Sequence, residues 1–181
     1  MKILVLNGNP APSDFDDYLA SFARSASERG HQAERIDLRD ANIRYCIGCW
    51  TCWYKTPGLC AMKDDMAALY PKIVAADLLV WASPLVLGTV SALLKKAQDR
   101  FVPIAHPYIE LVDGECHHRH RYAHNADIGL IVAPGADDTE EDVAIVRAFF
   151  ERFSRNTRTR LRLFATPKLS AEEAVHAALA A

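Results

Sequence analysis

Four cysteines stand close together in the first third of the chain, at Cys46, Cys49, Cys52 and Cys60. Between the last two, Pro57-Gly58 predicts a turn that brings Cys60 back toward the others. Thiolates are soft ligands that suit an iron–sulfur cluster, and four converging thiolates also suit zinc. Two other interpretations stay open: a thiol pair that cycles to a disulfide, and cysteines that pack as small buried apolar groups.

A second group of candidate ligands is a histidine-rich segment that begins at Cys116. Four of the seven histidines are His117, His118, His120 and His124. An extended chain would place Cys116, His118 and His120 on one face, whereas a helix would place His120 beside His124. Both geometries allow metal binding, although Arg119 and Arg121 would repel a cation. The alternative is a solvated polar loop.

The segment Gly8 to Phe15 follows an apolar run and precedes a helical pattern. The free N–H groups and the dipole of a helix amino end suit an anion such as phosphate. Ser13 and Asp16 predict a capping box at the same place, and the two predictions are compatible. No G-x-G-x-x-G, Walker lysine, G-x-S-x-G, H-E-x-x-H or EF-hand pattern occurs, which excludes the commonest dinucleotide-fold, P-loop, hydrolase, zinc-protease and calcium-site interpretations.

These segments are embedded in an alternation of strands and helices. Apolar runs predict strands at Lys2 to Asn7, His31 to Leu38, Leu78 to Ala82, Ile128 to Ala133 and Arg158 to Ala165, the last one an edge strand. Helical spacing predicts helices at Asp16 to Glu28, Asp64 to Ala76, Thr89 to Phe101, Asp138 to Phe153 and from Ser170. The stretch between Phe101 and Asp127 is predicted to be irregular. The pattern indicates an α/β protein with one doubly wound parallel sheet of five strands, in a single domain over residues 1–181.

Composition excludes several classes of partner. The 181 residues contain 21 Lys plus Arg and 23 Asp plus Glu, a net charge of -2, so no strong field attracts nucleic acid or anionic lipid. The apolar stretch Ile73 to Gly88 is interrupted by Asp77 and Pro84 and is shorter than the about 20 residues of a bilayer span. The amino end lacks a signal-peptide pattern. We expect a soluble cytoplasmic protein with reduced thiols.

The loop after the third predicted strand carries a resemblance to known proteins. Residues 83–100 read SPLVLGTVSALLKKAQDR, which is similar to the S-P-x-x-x-G-x-V-S-x-x-L-K-x-x-x-D-R pattern of the flavodoxin-like NAD(P)H-dependent FMN reductases and iron–sulfur flavoproteins. LNGNP at the start and CIGCWTCWYKTPGLCAMKDDM in the middle extend the resemblance over roughly the first hundred residues. It implies a flavodoxin-like three-layer α/β/α fold that binds FMN.

The resemblance also implies which residues hold the flavin. Those expected at the phosphate are Asn9, Pro10, Ser13 and Phe15, and those expected at the ring are Pro84, Leu85, Val86, Leu87 and Gly88. Pro134 and Gly135 follow the fourth predicted strand, which puts them at the same edge of the sheet. They either touch the ring or form an ordinary turn in which Asp137 or Asp138 caps the next helix. On the substrate side, His117 or His118 is expected to donate a hydrogen bond or proton to the acceptor. The four cysteines Cys46, Cys49, Cys52 and Cys60 are expected to hold a 4Fe–4S cluster under one interpretation.

Three functions follow from these observations. The first is an oxidoreductase that takes hydride from NAD(P)H and reduces a quinone, a flavin or another small acceptor. The second is an iron–sulfur flavoprotein that exchanges single electrons with a partner protein. The third is a thiol sensor that has lost flavin binding, which the acidic first loop and Val86 favour. The resemblance further implies a homo-oligomer, in which a neighbour would cover Trp50, Trp53 and Tyr54. The alternative is that these three aromatic residues cover the core of their own domain.

Overall fold

The computed structural model describes residues 1–180 as an α/β fold. The strands, in chain order, are β1 (Lys2–Asn7), β2 (Gln32–Asp37), β3 (Leu78–Val86), β4 (Thr89–Val90), β5 (Ala105–Val112), β6 (Glu115–His120), β7 (Asp127–Ala133) and β8 (Leu161–Ala165). The helices are α1 (Asp14–Glu28), α2 (Thr51–Tyr54), α3 (Met66–Ala75), α4 (Ala92–Asp99), α5 (Glu140–Asn156) and α6 (Ala171–Ala180). Short 3-10 turns occupy Leu38–Asp40 and Val102–Ile104.

The main sheet has the order β2-β1-β3-β7-β8, and all of these pairings are parallel. The direction of winding reverses between β1 and β3, so the carboxyl ends of these strands form the crevice where doubly wound sheets bind ligands. In register, Asn7 pairs with both Asp37 and Ala82, which brings the ends of three strands together. The predicted flavodoxin-like, five-stranded parallel sheet is confirmed, with β8 at its edge.

Helices cover both faces of the sheet because successive strand residues point to opposite sides. Ile3 and Val5 of β1 pack in one core with residues of α1 and α6. Leu4 and Leu6 pack in the other core with residues of α3, α4 and α5. Trp81, fully buried in β3, lies in this second core. The three predicted layers are therefore present.

The end of β3 forms a small hairpin with β4, in a region where a helix was predicted to begin at Thr89. Strand β3 continues to Val86, turns through Leu87 and Gly88, and returns as β4, which pairs with it antiparallel. Both turn residues have positive φ, 52° and 71°, as a two-residue hairpin turn requires. Helix α4 then starts at Ala92, capped by Ser91, whose Oγ accepts the Leu94 N–H at 3.2 Å. The prediction of a helix from Thr89 was wrong because the glycine in this loop was not interpreted as a turn.

A second hairpin occupies the stretch that was predicted to be irregular. Strands β5 and β6 pair antiparallel and form their own two-stranded sheet. Their turn is Asp113-Gly114, again with both φ values positive, 51° and 82°. Asp-Gly is a strong hairpin signal. The prediction failed because β6 reads ECHHRH and carries no apolar alternation that would identify a strand.

Other boundaries differ by a few residues from those predicted. Helix α1 starts at Asp14 and has the predicted capping box of Ser13 with Asp16. Helix α5 starts at Glu140 and is capped by Thr139. No helix within residues 1–180 is both long enough and apolar enough to cross a membrane.

Candidate functional site

The loop after β1 is fastened to the loop after β3 at the carboxyl edge of the sheet. The Gly8 N–H donates to the Ala82 carbonyl at 2.7 Å, and the Ser91 hydroxyl donates to the Gly8 carbonyl at 2.5 Å. A Cβ atom at Gly8 would lie 2.6 Å from the Leu94 Cβ, so only glycine allows this approach. The loop that leads into α1 therefore lies against the amino end of α4.

A network of polar side chains braces the β1–α1 loop from inside. The Asp16 carboxylate accepts bonds of 2.7 Å from both Asn7 Nδ2 and Asn9 Nδ2, and one of 3.0 Å from the Ser13 N–H. The Arg39 guanidinium donates to the same carboxylate at 2.8 Å. Asp16 consequently faces the interior of the loop. Asn9 and Ser13, predicted to contact phosphate, also bond one another, since Asn9 Nδ2 donates to Ser13 Oγ at 2.8 Å.

The charge of Asp16 is neutralised within this network. Burial of the carboxylate raises its pKa, but the hydrogen bonds from Arg39, the Ser13 N–H, Asn7 and Asn9 outweigh burial and lower the pKa to about 2. Asp14 and Asp17 stay exposed in the first helical turn. Of the three carboxylates in that turn, the buried one has an internal counter-ion and does not compete for a ligand at the helix end.

The β3–β4 hairpin presents an apolar tip beside this loop. Val86 is 44% exposed and Leu87 is 98% exposed, which is unusual for adjoining apolar residues. Leu85 instead packs in the hydrophobic core, so only its backbone remains available to a ligand. The hairpin lies against the amino end of α5, where a Cβ at Gly88 would lie 3.1 Å from the Asp142 carboxylate.

The loop after β7 completes the edge. Pro84 of β3 pairs in register with Ala133, which precedes Pro134 and Gly135. The Gly135 N–H donates to Asp138 Oδ2 at 2.7 Å and so closes a turn before α5. The structure thus brings together the three loops that were predicted to hold a flavin. The side chain of Phe15 is an exception, because it is buried in the core formed with α6.

The two candidate catalytic histidines lie elsewhere. His117 is buried on β6, its Nε2 3.2 Å from Glu115 Oε2, and Glu115 is bonded in turn to Arg152 near the carboxyl end of α5. Helix α5 starts at the flavin edge and its 17 residues rise about 25 Å, so this end of the helix lies far from the predicted flavin. His118 contacts Trp53, with ring centres 4.9 Å apart. His120, two residues further along β6, bonds Asn125 just before β7 begins, so β6 ends near the amino edge of the sheet. Within one chain, neither histidine therefore lies at the carboxyl edge.

The four cysteines line one small cavity of about 50 Å³. Cys52 is buried and Cys60 half-buried, whereas Cys46 and Cys49 are exposed. Burial and the neighbouring sulfur of Cys60 raise the pKa of Cys52, while hydrogen bonds with Thr51 lower that of Cys49. The cavity is otherwise lined by apolar groups and the Arg100 side chain.

Sequence reasoning missed the residues that hold these two regions in place. Asn7, Arg39 and Arg100 were not assigned a role, and no chemistry was assigned to Asp64. A signal existed for the first two, because the carboxyl ends of neighbouring parallel strands share one edge of the sheet. Arg100 is the last residue of the pattern that carries the family resemblance, but its partners lie far away in the sequence, so nothing near it indicated what it contacts.

The comparison with protein families decides the relationship. Residues 1–141 match the family model of NADPH-dependent FMN reductase. The chain belongs to this family. The match confirms the predicted relationship, and FMN is the cofactor that it implies.

Two archaeal proteins are similar to part of this chain. An iron–sulfur flavoprotein of Archaeoglobus fulgidus is 35% identical over 100 residues, which cover 55% of this chain and 48% of the relative. An iron–sulfur flavoprotein of Methanocaldococcus jannaschii is 36% identical over 105 residues, covering 58% and 53% of the two chains. The chain therefore spans about half the length of the curated relatives it matches.

Solved structures share the fold at low sequence identity. An FMN-dependent NADH-azoreductase from Bacillus anthracis in complex with FMN has a TM-score of 0.64 at 17% identity, covering 98% of this chain and 93% of that one. An NAD(P)H:quinone oxidoreductase from Methanothermobacter marburgensis has a TM-score of 0.60 at 21% identity, covering 87% and 76%.

The carboxyl edge fits a flavin mononucleotide in its chemistry. The amino end of α1 supplies backbone N–H groups and a positive dipole, and the inward Asp16 is neutralised by Arg39. The hairpin tip supplies exposed apolar surface for a planar ring.

The cysteine cavity has the donor set that an iron–sulfur cluster requires, since four thiols line it. Among residues 1–180, no three His, Cys, Asp or Glu side chains are grouped closely enough to hold one metal ion. An iron–sulfur cluster, zinc, a thiol pair and packed cysteines therefore all stay predictions for this cavity.

Proposed function

We propose that this protein is an FMN-dependent oxidoreductase that takes hydride from NAD(P)H and passes electrons to a quinone, a flavin or another small acceptor. The observation that carries the proposal is the juxtaposition of the β1–α1 loop and the segment that follows β3, joined by the bond from Ser91 to Gly8. One part suits a phosphate and the other an apolar ring. The family match over residues 1–141 supports the same conclusion.

In this proposal, the residues from Asn9 to Phe15 bind the FMN phosphate. The backbone N–H groups at the start of α1 donate to it, while Asn9 and Ser13 keep the loop in shape through their bonds to Asp16. Pro10 is exposed at the loop surface, and Phe15 contributes its backbone because its side chain is buried. The phosphate therefore depends on a preorganised loop rather than on a cationic side chain.

The flavin ring lies against the residues from Pro84 to Gly88, with Pro134 and Gly135 at its margin. Val86 and Leu87 offer the exposed side chains, and Leu85 and Gly88 contribute backbone. Bound FMN would supply the acceptance and release of hydride and electrons. The apolar tip excludes water from that surface. Because His117 and His118 lie away from this edge, the chain is proposed to bind and orient its ligands without a histidine acid or base.

The absorbance spectrum of the anaerobically purified protein tests this function. We expect flavin bands that bleach when NADPH is added and return when a quinone is added. Iron and acid-labile sulfide are assayed in the same sample. A protein that stays colourless and refuses added FMN would contradict the proposal and favour the thiol sensor.

The position of the phosphate is tested by Ala11→Asp. Ala11 is exposed in the β1–α1 loop, so the added carboxylate would repel a phosphate without disturbing the core. We expect FMN affinity to fall about tenfold, because a like charge costs roughly 1 kcal/mol or more at such a partly exposed site. The affinity for riboflavin, which lacks the phosphate, should not change.

The matched control for this experiment is Ser27→Asp. It adds the same charge at an exposed position near the other end of α1. This variant should bind both flavins like the wild type. Equal losses of FMN and riboflavin binding in the Ala11 variant would place the phosphate elsewhere.

A second candidate function is an iron–sulfur flavoprotein that exchanges single electrons with a partner protein. It is favoured by the single cavity that all four cysteines line, and by the names of the two archaeal relatives. About four irons per chain with slow NADPH turnover would support it. Flavin without iron in the anaerobic sample would contradict it.

We further propose that the protein self-associates. Trp50 and Tyr54 beside the cysteines are 49% and 73% exposed, while Trp53 is half-buried between Trp50 and His118. Light scattering during gel filtration would test this, and a monomer at every concentration would contradict it. The predicted cytoplasmic location stays a prediction.

A further inference from the structure

Arg100 and Asp64, which the proposed flavin site does not use, form an ion pair next to the cysteine cavity. Asp64 follows the last cysteine of the motif, and Arg100 is the carboxyl cap of α4. Arg100 Nη1 and Nη2 donate to the two Asp64 carboxylate oxygens at 2.7 and 3.0 Å. Nη1 also donates to the Arg44 carbonyl at 2.8 Å. The segment that carries the cysteines is therefore tied to α4 at both of its ends.

The Arg100–Asp64 pair is shielded from solvent, and both of its members are ionised. The side chains of Arg100 and Asp64 are 1% and 0% exposed. Burial would lower the pKa of Arg100, but the bond to Asp64 raises it above its ordinary value. Burial likewise would raise the pKa of Asp64, and the Arg100 and Arg44 bonds lower it. Both groups stay ionised, which is costly inside a protein unless the donors of the guanidinium are satisfied.

One donor of this buried guanidinium is directed at sulfur. Arg100 Nη2 donates to Cys60 Sγ at 3.4 Å, and the Nε–H is buried with no partner within residues 1–180. Thiol sulfur is a weak acceptor, so a pair that served stability alone would gain more from an oxygen. Arg100 is the charged side chain in the lining of the cysteine cavity. The arrangement suits a cavity whose sulfur atoms must accept hydrogen bonds.

We infer that Arg100 is a positioning residue of the cysteine cavity: oriented by Asp64, it keeps the Cys60 sulfur turned inward beside Cys52, ready to ligate an iron–sulfur cluster. This inference rests on the second candidate function, and it gives a role to the Arg100–Asp64 pair, which that function left without one. Hydrogen bonds to ligating sulfur atoms are among the features that tune such clusters. Without the Nη2 donor, the half-buried Cys60 side chain is free to turn toward solvent.

Alkylation of iron-free, reduced, flavin-reconstituted protein tests the positioning role. Iodoacetamide labelling is followed cysteine by cysteine with mass spectrometry. In Arg100→Lys, the ammonium can still pair with Asp64 but cannot also reach Arg44 and Cys60. We expect Cys60 to be labelled about tenfold faster than in the wild type, which corresponds to the loss of one charge-assisted hydrogen bond. Labelling of exposed Cys46 should not change.

Two further variants separate positioning from folding. Arg121→Lys is the matched control, because Arg121 also packs on the cysteine segment, at Gly58, yet donates only to the carbonyls of Pro103 and Ala105. It should leave Cys60 labelling unchanged. The double variant Asp64→Asn with Arg100→Gln removes the charges without leaving one unpaired, and should also release Cys60. Continued slow labelling of buried Cys52 reports an intact fold in every case.

The inference would be overturned if Cys60 in folded Arg100→Lys were labelled at the same rate as in the wild type. It would also be overturned if Arg121→Lys accelerated Cys60 labelling as much as Arg100→Lys does. Anaerobic reconstitution with iron and sulfide tests the ligand. Arg100→Lys should retain less iron than the wild type and Arg121→Lys the same amount, and equal retention by all three would again overturn the inference. If the wild type takes up no iron, the cluster is overturned as the ligand. The NADPH-driven bleaching of bound FMN remains the separate test of the reductase.

Discussion

The same pair of residue types fastens two functional regions of this molecule, in different surroundings. At the flavin edge, Arg39 bonds Asp16, and their side chains are 18% and 12% exposed. Under the cysteines, Arg100 bonds Asp64, and theirs are 1% and 0% exposed. Water still reaches the first pair, whereas the second is sealed. The comparison teaches that burial and further partners decide what an arginine–aspartate pair does.

The remaining partners of each pair differ in kind. Asp16 is also held by the amides of Asn7 and Asn9 and by a backbone N–H, so its loop keeps its shape through several bonds. The donors of Arg100 go to one carboxylate, one carbonyl and one sulfur. The first network therefore neutralises a carboxylate at a proposed phosphate site. The second delivers a hydrogen-bond donor to a cysteine.

The largest effect is expected from breaking the sealed pair. Arg100→Met leaves the Asp64 charge buried and unpaired, so the free energy of unfolding should fall by about 3–5 kcal/mol in urea titrations. Adding Asp64→Leu should recover much of that loss, because no unpaired charge then remains. The exposed pair Lys95–Asp99 on the same helix is the control, and Lys95→Met should change stability by less than about 0.5 kcal/mol. If Arg100→Met lowered the free energy of unfolding as little as Lys95→Met does, burial would not distinguish the Arg100–Asp64 pair from an exposed pair.

The partly exposed Arg39–Asp16 pair should make the stability of the protein depend on pH in acid. The pKa of Asp16 is lowered from 3.8 to about 2 in the folded protein, so its contribution is complete above pH 3.8 and is lost as the pH falls toward 2. The loss should be about 2 kcal/mol. Asp16→Asn should be less stable than the wild type at neutral pH, and the difference between the two proteins should shrink over that window. A difference that stays constant between pH 4 and pH 2 would contradict the assignment.

A smaller effect is expected at the apolar tip beside the flavin loop. Leu87 has a φ of 52°, a conformation that costs a leucine roughly 1 kcal/mol and that asparagine tolerates. Leu87→Asn should therefore stabilise the protein by about 0.5–1 kcal/mol in thermal unfolding. Leu59 in the cysteine segment is 66% exposed with an ordinary φ, so Leu59→Asn shows what loss of an exposed leucine does by itself. Equal effects of the two substitutions would mean that backbone strain plays no part.

Local patterns in the sequence were sufficient for most of the fold. The apolar run of β1 and the uninterrupted one in β3 predicted buried parallel strands, and Ser13 with Asp16 predicted the capping box that starts α1. These features depend on neighbours in the chain. The β5–β6 hairpin was missed even though Asp113-Gly114 marks its turn, because a histidine-rich strand has no apolar face to detect.

The chain order alone also predicted which loops would meet. Parallel strands of one doubly wound sheet end at one edge, so the segments after β1, β3 and β7 had to lie together. The cysteines were identified as one group by their spacing, and the structure places them around one cavity. Whether they hold a cluster was left open among several chemistries.

Sequence by itself thus determined the sheet, its winding and the loops that form the edge, since periodicity and turn residues act over a few positions. Only the tertiary structure decided that His117 and His118 lie away from the flavin edge, that Arg39 neutralises Asp16, and that Arg100 reaches Cys60. Arg39 and Asp16 are 23 residues apart, and Arg100 and Asp64 are 36 apart. Contacts at such separations are fixed by how helices pack on the sheet, and no local pattern encodes that packing.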